Sequence, residues 1–229
     1  MRRRQPLKSN KLKKWLAAPY AVWAAGFIII PLILILYYAF TGEEGGFTLS
    51  NFAYVATKEN IKALGLALWL SLLSTALCLL LAYPLAMILC NMGVNQHSFI
   101  VLIFILPMWM NFLLRTMAWQ TLLEKTGVIN SILNFLHLPA LRIINTPYAI
   151  VLGMVYNFLP FMVLPIYNAL SKIDRSIIHA AKDLGANNIQ VFFKIMLPLS
   201  VPGIISGITM VFIPALTTFV ISKLLGGSK

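Results

Sequence analysis

The chain has 229 residues, of which 60% are hydrophobic and only 10% charged, and its mean hydropathy is +0.86. That is far more apolar surface than a soluble domain of this size can bury, so the composition specifies an integral membrane protein. The formal net charge is +12, but seven of the eighteen basic residues (Arg2, Arg3, Arg4, Lys8, Lys11, Lys13 and Lys14) precede the first apolar run. A cluster of this kind beside a membrane span is a topology signal and an attraction for anionic lipid, not a nucleic-acid surface.

The basic arm, residues 1–14, leads into one membrane domain, residues 15–229. Trp15–Phe40 is long enough to cross a bilayer and carries Trp15, Trp23, Tyr37 and Tyr38 near its ends for the interface. It lacks a small-residue cleavage site in a suitable place, so it is expected to stay as a helix. With the arm cytoplasmic, Thr41–Ala63 is an external loop containing Glu43, Glu44 and Glu59, and Leu64–Leu89 is the second span. Cys78 and Cys90 fall in one apolar segment with no His or acidic neighbour at ligand spacing, so they imply neither a disulfide framework nor a metal site. A tight cytoplasmic turn, Asn91–His97, precedes a third span, Phe99–Leu123; the external segment Glu124–Thr146 includes the apolar run INSILNFL, a candidate interfacial helix. Pro147–Leu170 is the fourth span and Leu199–Leu225 the fifth.

This topology puts eleven Lys and Arg on the cytoplasmic side and six outside, if Lys223 and Lys229 are placed there, as the positive-inside rule requires. Every span contains proline (Pro31, Pro84, Pro107, Pro160, Pro165, Pro202 or Pro214), and each one frees a backbone carbonyl that neighbours must satisfy. Gly203 and Gly207 form a GxxxG pair, a weak signal for close helix approach.

Between the last two spans lies the one long polar passage, Lys172–Pro198. Ile173, Ile177, Ala180 or Ala181, and Leu184 recur at helical spacing as an apolar stripe, opposed by Lys172, Arg175, His179 and Lys182. Asp174 is placed to cap or charge the helix start, and Gly185 can adopt the left-handed conformation that ends it. At about 1.5 Å per residue this helix is roughly 18–20 Å long, too short to span, and it lies outside the bilayer. Asn187 or Asn188 can cap a second short helix, Ile189–Met196, which Pro198 is expected to end.

The passage Ala180-Ala181, then Gly185, then Ile195-Met196-Leu197-Pro198 resembles the loop signature of binding-protein-dependent ABC importer permeases: Glu-Ala-Ala, three residues, Gly, nine residues, Ile-x-Leu-Pro. The spacing matches throughout, with His179 where the pattern has Glu. The flanks PMWMNFLLRTMAWQTLL (107–123), LPFMVLPIY (159–167) and AAKDLGA (180–186) are similar to permease subunits of spermidine/putrescine importers. The resemblance covers nearly the whole chain and implies an all-α, MetI-like bundle of six spans. Five are visible here, so the chain looks truncated before a last helix.

The resemblance also implies a second permease subunit, two ATP-binding subunits and an external substrate-binding protein, with residence in the inner membrane among its lipids. Ile177, His179, Ala180, Ala181, Asp183, Leu184, Gly185, Ile195, Leu197 and Pro198 would be the coupling surface for the ATPase. No Gly-rich phosphate loop, His-Glu-x-x-His motif or pair of intramembrane carboxylates is present. The chain is therefore not expected to be an enzyme or to bind a cofactor; ATP and Mg belong to the partner ATPase.

Arg115 is the one charge well inside a span, Lys223 lying near the outer end of the fifth, and such a residue either faces a pathway or snorkels to the outer interface. Asn111, Arg115 and Trp119 recur at four-residue spacing, and Tyr156, Asn157 and Tyr167 complete the candidate pathway. Cation recognition needs carboxylates and aromatic faces, and the bundle offers only the latter, so polyamine specificity would reside mainly in the binding protein. The alternatives are a permease for another small solute, an anion or ferric iron, or a membrane docking subunit that transports nothing. A secondary transporter would keep carboxylates or broken helices in its spans, and the expected spans contain no Asp or Glu.

Overall fold

The computed structural model describes residues 18–42, 45–91, 106 and 108–226. The basic arm 1–14, Trp15, Glu43, Glu44, residues 92–105, Pro107 and residues 227–229 lie outside the described residues, so the expected turn beyond Asn91 and the start of the third span do too. The regular structure of the described residues is helical apart from an isolated antiparallel bridge between Thr41 and Phe47. Four described helices are long and apolar enough to cross a membrane. Contacts divide the chain into two compact units, Met1–Leu64 and Gly65–Lys229.

In the first unit α1, Ala18–Ala39, contains a π turn at Ala25–Ile29 immediately before Pro31. The ring of a proline presses on the carbonyl four residues back, and the wider turn accommodates it. Trp23, Tyr37, Tyr38 and the aliphatic residues between them are exposed, as expected of a helix that is apolar all round and faces lipid. The following loop has more order than expected. Asn51 donates from Nδ2 to the carbonyls of Tyr38 at 3.0 Å and Thr41 at 3.1 Å, closing the free end of α1. A short helix α2, Ser50–Val55, follows.

The expected second span, Leu64–Leu89, is only part of α3, Lys58–Asn91. Its 34 residues measure about 51 Å, and the polar Lys58–Lys62 stretch is helical although its hydropathy marks it as loop. Glu59 in the first turn complements the positive end of the helix.

The expected third span, Phe99–Leu123, is not one helix. Asn111 has extended ψ (128°) and its side chain accepts from the Leu113 N–H at 2.8 Å, so it is the N-cap of α4, Phe112–Leu123. After it, α5, Val128–Phe135, occupies the INSILNFL run. One face is anchored by Asn130, 1% exposed, which bonds the Glu124 carbonyl (2.9 Å) and both backbone groups of Leu141 (3.0 and 2.6 Å).

The fourth span is α6, Pro147–Leu170, with the bounds expected. It is the centre of the second unit: Met162, Val163 and Ile166 are buried, and its main partner is α8, Asn188–Thr217. The GxxxG pair forms this contact. A Cβ on Gly203 would lie 2.5 Å from Ala169 Cβ and 2.7 Å from the Pro165 carbonyl, and one on Gly207 would lie 2.7 Å from Met162 Sδ. The two backbones meet where there are no side chains.

Two expectations about α8 fail. Pro198 does not end a short helix: the chain continues from Asn188 to Thr217 through a π turn, Phe192–Met196, which carries Lys194, the residue on whose carbonyl the proline ring would press. The expected fifth span, Leu199–Leu225, breaks at Thr218, whose ψ is 105°, and resumes as α9, Phe219–Leu225. Two consecutive β-branched residues weaken the helix there, and the break lets Ile221 and Leu225 bury completely in the packing of α9 with α4 and α6. Leu225 closes on Gly153 of α6, and its carbonyl accepts from the Asn145 N–H at 2.8 Å.

Candidate functional site

Local chemistry builds the loop that joins α6 to α8. Asp174 caps α7, Arg175–Asp183, accepting from the Ser176 N–H at 2.9 Å. This bond holds the Asp174 carboxyl below the ordinary aspartate range, because it favours the charged form. Gly185 has φ +85°; its N–H reaches the Lys182 carbonyl at 2.9 Å and the Ala186 N–H reaches that of Ala181 at 3.0 Å, closing the helix end. Asn187 and Gln190 then form a reciprocal capping box at 2.8 and 3.0 Å, starting α8.

The loop is therefore a nine-residue helix, a glycine turn and the start of a span. The helix is shorter than the three turns expected. Its apolar stripe also divides: Ile173 packs on the core, whereas Ile177 and Leu184 are exposed, Leu184 to 89%. His179, Ala180 and Asp183 are exposed as well, while Ala181 is half-buried. Ala181, Leu184, Gly185 and Ile195, from both arms of the motif, line one hollow of about 390 Å³ with Gln190 and Lys194. Leu197 packs toward the core and Pro198 is exposed, so these two belong to the stem of the span and not to the hollow.

The candidate pathway residues are only partly brought together. Trp119 meets Tyr156 edge to face, with ring centroids 5.2 Å apart, and Phe112 stacks with Phe158 at 6.3 Å. Between these contacts in sequence lie Arg115 and Asn157, 6% and 1% exposed. Arg115 does not snorkel outward; its Nε and Nη1 are buried and have no hydrogen-bond partner, nor does Asn157 Oδ1, while Asn157 Nδ2 donates to the Gly153 carbonyl at 2.9 Å. Asn111, expected on the Arg115 face, is committed to its cap. Tyr167 stands apart at the end of α6, where its carbonyl accepts from Ser171 and from Cys90 Sγ. Sequence reasoning missed Tyr83 and Ser200, whose hydroxyl oxygens are 2.9 Å apart in the interior; one tyrosine and one serine 117 residues apart carry no local signal.

The apolar helices and the helix–glycine–helix loop fit a membrane permease of the ABC importer class, and the family match shows that class. The chain belongs to the family of binding-protein-dependent transport system inner membrane components, whose model matches residues 97–229. Its relatives are more particular. It is 37% identical over 234 residues to the spermidine/putrescine transport system permease protein PotB of Haemophilus influenzae, covering 96% of this chain and 80% of that one. It is 34% identical over 215 residues to PotB of Escherichia coli K12, covering 90% and 78%, and 30% identical over 229 residues to a PotB homolog of Mycoplasma genitalium, covering 96% and 76%. Among solved structures, a bacterial alginate ABC transporter in complex with an alginate pentasaccharide-bound periplasmic protein matches with a TM-score of 0.68 at 20% identity, over 84% of this chain and 68% of that one; the likeness is one of fold. The all-α permease fold and the family expected from the loop spacing are the ones found, and the family is an inner-membrane one.

Proposed function

We propose that this chain is the permease subunit of a polyamine importer and forms a translocation pathway for spermidine and putrescine with a second permease subunit. Of two ATP-binding subunits, which hold the ATP and Mg, one grips the 172–198 loop. An external binding protein delivers the substrate, and the N-terminal arm and the loop are cytoplasmic. The observation that carries the reading is the loop itself: Ala181, Leu184, Gly185 and Ile195 line one hollow beside the exposed Ile177, the kind of groove-and-knob surface that a partner protein can hold rigidly. Closure of the paired ATPases would then move α7 as a body and rock the spans between inward- and outward-facing states. The substrate is taken from the names of the PotB relatives.

The test is reconstitution in the complete transporter, measuring ATPase co-purification and uptake of labelled spermidine. Retained ATPase and uptake that unlabelled putrescine competes away support the reading; loss of the ATPase from the wild-type chain overturns it. One observation favours a second substrate class. The buried Arg115 with two free nitrogens suits an anion better than a polyamine, and competition by small anions instead of putrescine would select that class.

A further inference from the structure

The loop is joined to α6 and α8 by the chain itself, and it also meets α3 on both of its sides. On the entry side, Arg175 donates from Nη2 to the Cys90 carbonyl at 3.3 Å. Arg175 is the first residue of α7, where a cation meets the positive end of the helix dipole. Cys90 lies in the last described turn of α3, and its carbonyl accepts the guanidinium proton. The guanidinium is thus poorly placed on its own helix and takes its partner from the other. Cys90 is itself tied to α6, its Sγ donating to the Tyr167 carbonyl at 3.7 Å.

On the exit side, Ser200 Oγ donates to the Leu197 carbonyl at 2.9 Å. A serine hydroxyl has one proton, so in the 2.9 Å contact between Tyr83 and Ser200 the tyrosine is the donor. Both residues are buried, at 8% and 0% exposed, and the Tyr83 ring packs edge-on against Phe192 at 5.5 Å. The π turn starts at Phe192 and is followed by Leu197, so Tyr83 meets its start directly and its far end only through Ser200. Between the two fastenings lies a cavity of about 170 Å³, lined by Cys90, Asn91, Ile173, Arg175, Ile178 and Met196 among others. The underside of the loop is thus only partly packed, and Ile173, Phe192 and Met196, which pack on the core, act beside these discrete contacts.

We propose that Arg175 and Tyr83 are positioning residues that fasten the loop to α3, one on each side, making α3 a span through which movement of the loop enters the bundle. This rests on the reading of the loop as the ATPase dock. The test uses Arg175→Ala, Arg175→Lys and Tyr83→Phe in the complete transporter, with ATPase co-purification, basal ATP hydrolysis and substrate taken up per ATP hydrolysed as readouts. Arg175→Ala and Tyr83→Phe are expected to assemble and to hydrolyse ATP at the basal rate, with uptake per ATP reduced about fivefold, the factor that one ordinary hydrogen bond makes in a two-state equilibrium. Arg175→Lys keeps a donor for the Cys90 carbonyl and is expected to restore most of the ratio. Should Tyr83→Phe fail to accumulate, Ser200→Ala removes the same bond from the other side and is expected to give the same ratio. Unchanged uptake per ATP in assembled Arg175→Ala and Tyr83→Phe overturns the proposal while leaving the dock intact, whereas failure of the wild-type chain to retain the ATPase overturns the dock and the proposal together.

Discussion

Replacing Gly185 isolates the backbone conformation of the loop from its packing. Its φ is +85°, and a Cβ built there meets nothing within 4 Å, so a larger side chain is penalised only by conformation. The left-handed region costs a non-glycine residue roughly 1–2 kcal/mol, and more when the side chain is β-branched. That is about a 5- to 30-fold shift away from the observed turn. Asn visits the region at much lower cost. Gly185→Val is therefore expected to insert and accumulate normally yet lose transport and most of its ATPase co-purification, because opening the turn separates Ala181 and Leu184 from Ile195 across the hollow. Gly185→Asn is expected to retain most of both. Uptake by whole cells beside affinity capture of the ATPase provides the comparison. Wild-type uptake in Gly185→Val refutes the need for the turn, and equal loss in Gly185→Asn refutes the conformational explanation, since both side chains have the same open space.

Gly203→Val places a branched side chain where a Cβ alone lies 2.5 Å from Ala169 Cβ, and the overpacking is expected to cost about 1–3 kcal/mol, read as a lowered midpoint of thermal unfolding in detergent. Asn130→Ala removes three hydrogen bonds to Glu124 and Leu141 and is expected to cost about 3 kcal/mol, seen as faster hydrogen exchange and proteolysis across residues 124–146. The Asp174 carboxyl is held below its ordinary value by the Ser176 N–H. A depressed pKa in the folded state contributes stability above the unfolded value and loses it as pH falls, so protection of the first turn of α7 is expected to decline below about pH 4. Asp174→Asn, a good cap without a titrating group, is expected to abolish that pH dependence, as amide exchange in the loop can measure.

Where the physics is local, the sequence determined the outcome. Hydropathy is a sum over neighbours in the chain, so the spans around α1, α3, α6 and α8 and the all-helical class were legible. So were the loop's punctuation marks: Asp174, Gly185 and Asn187 act on backbone groups within three residues of themselves, and each does what its chemistry implies. The fourth span needed no correction at either end, because Pro147 starts it and the change to polar residues after Leu170 stops it.

Only the tertiary structure decided what depends on a partner distant in sequence. The break at Asn111 and the break at Thr218 are invisible to an average over an apolar window, yet the second turns Ile221 and Leu225 onto α6 and α4. The passage of α8 through Pro198 required a π turn whose Phe192 is held by Tyr83 of α3. Arg115 could be read as a charge in a span, but whether it reached the surface depended on the packing of α4, and there the residue is 6% exposed. The physical reason is the same in each case: a short-range preference of a fraction of a kcal/mol per residue yields to the burial of a few large side chains, and that burial is decided by elements a hundred residues away.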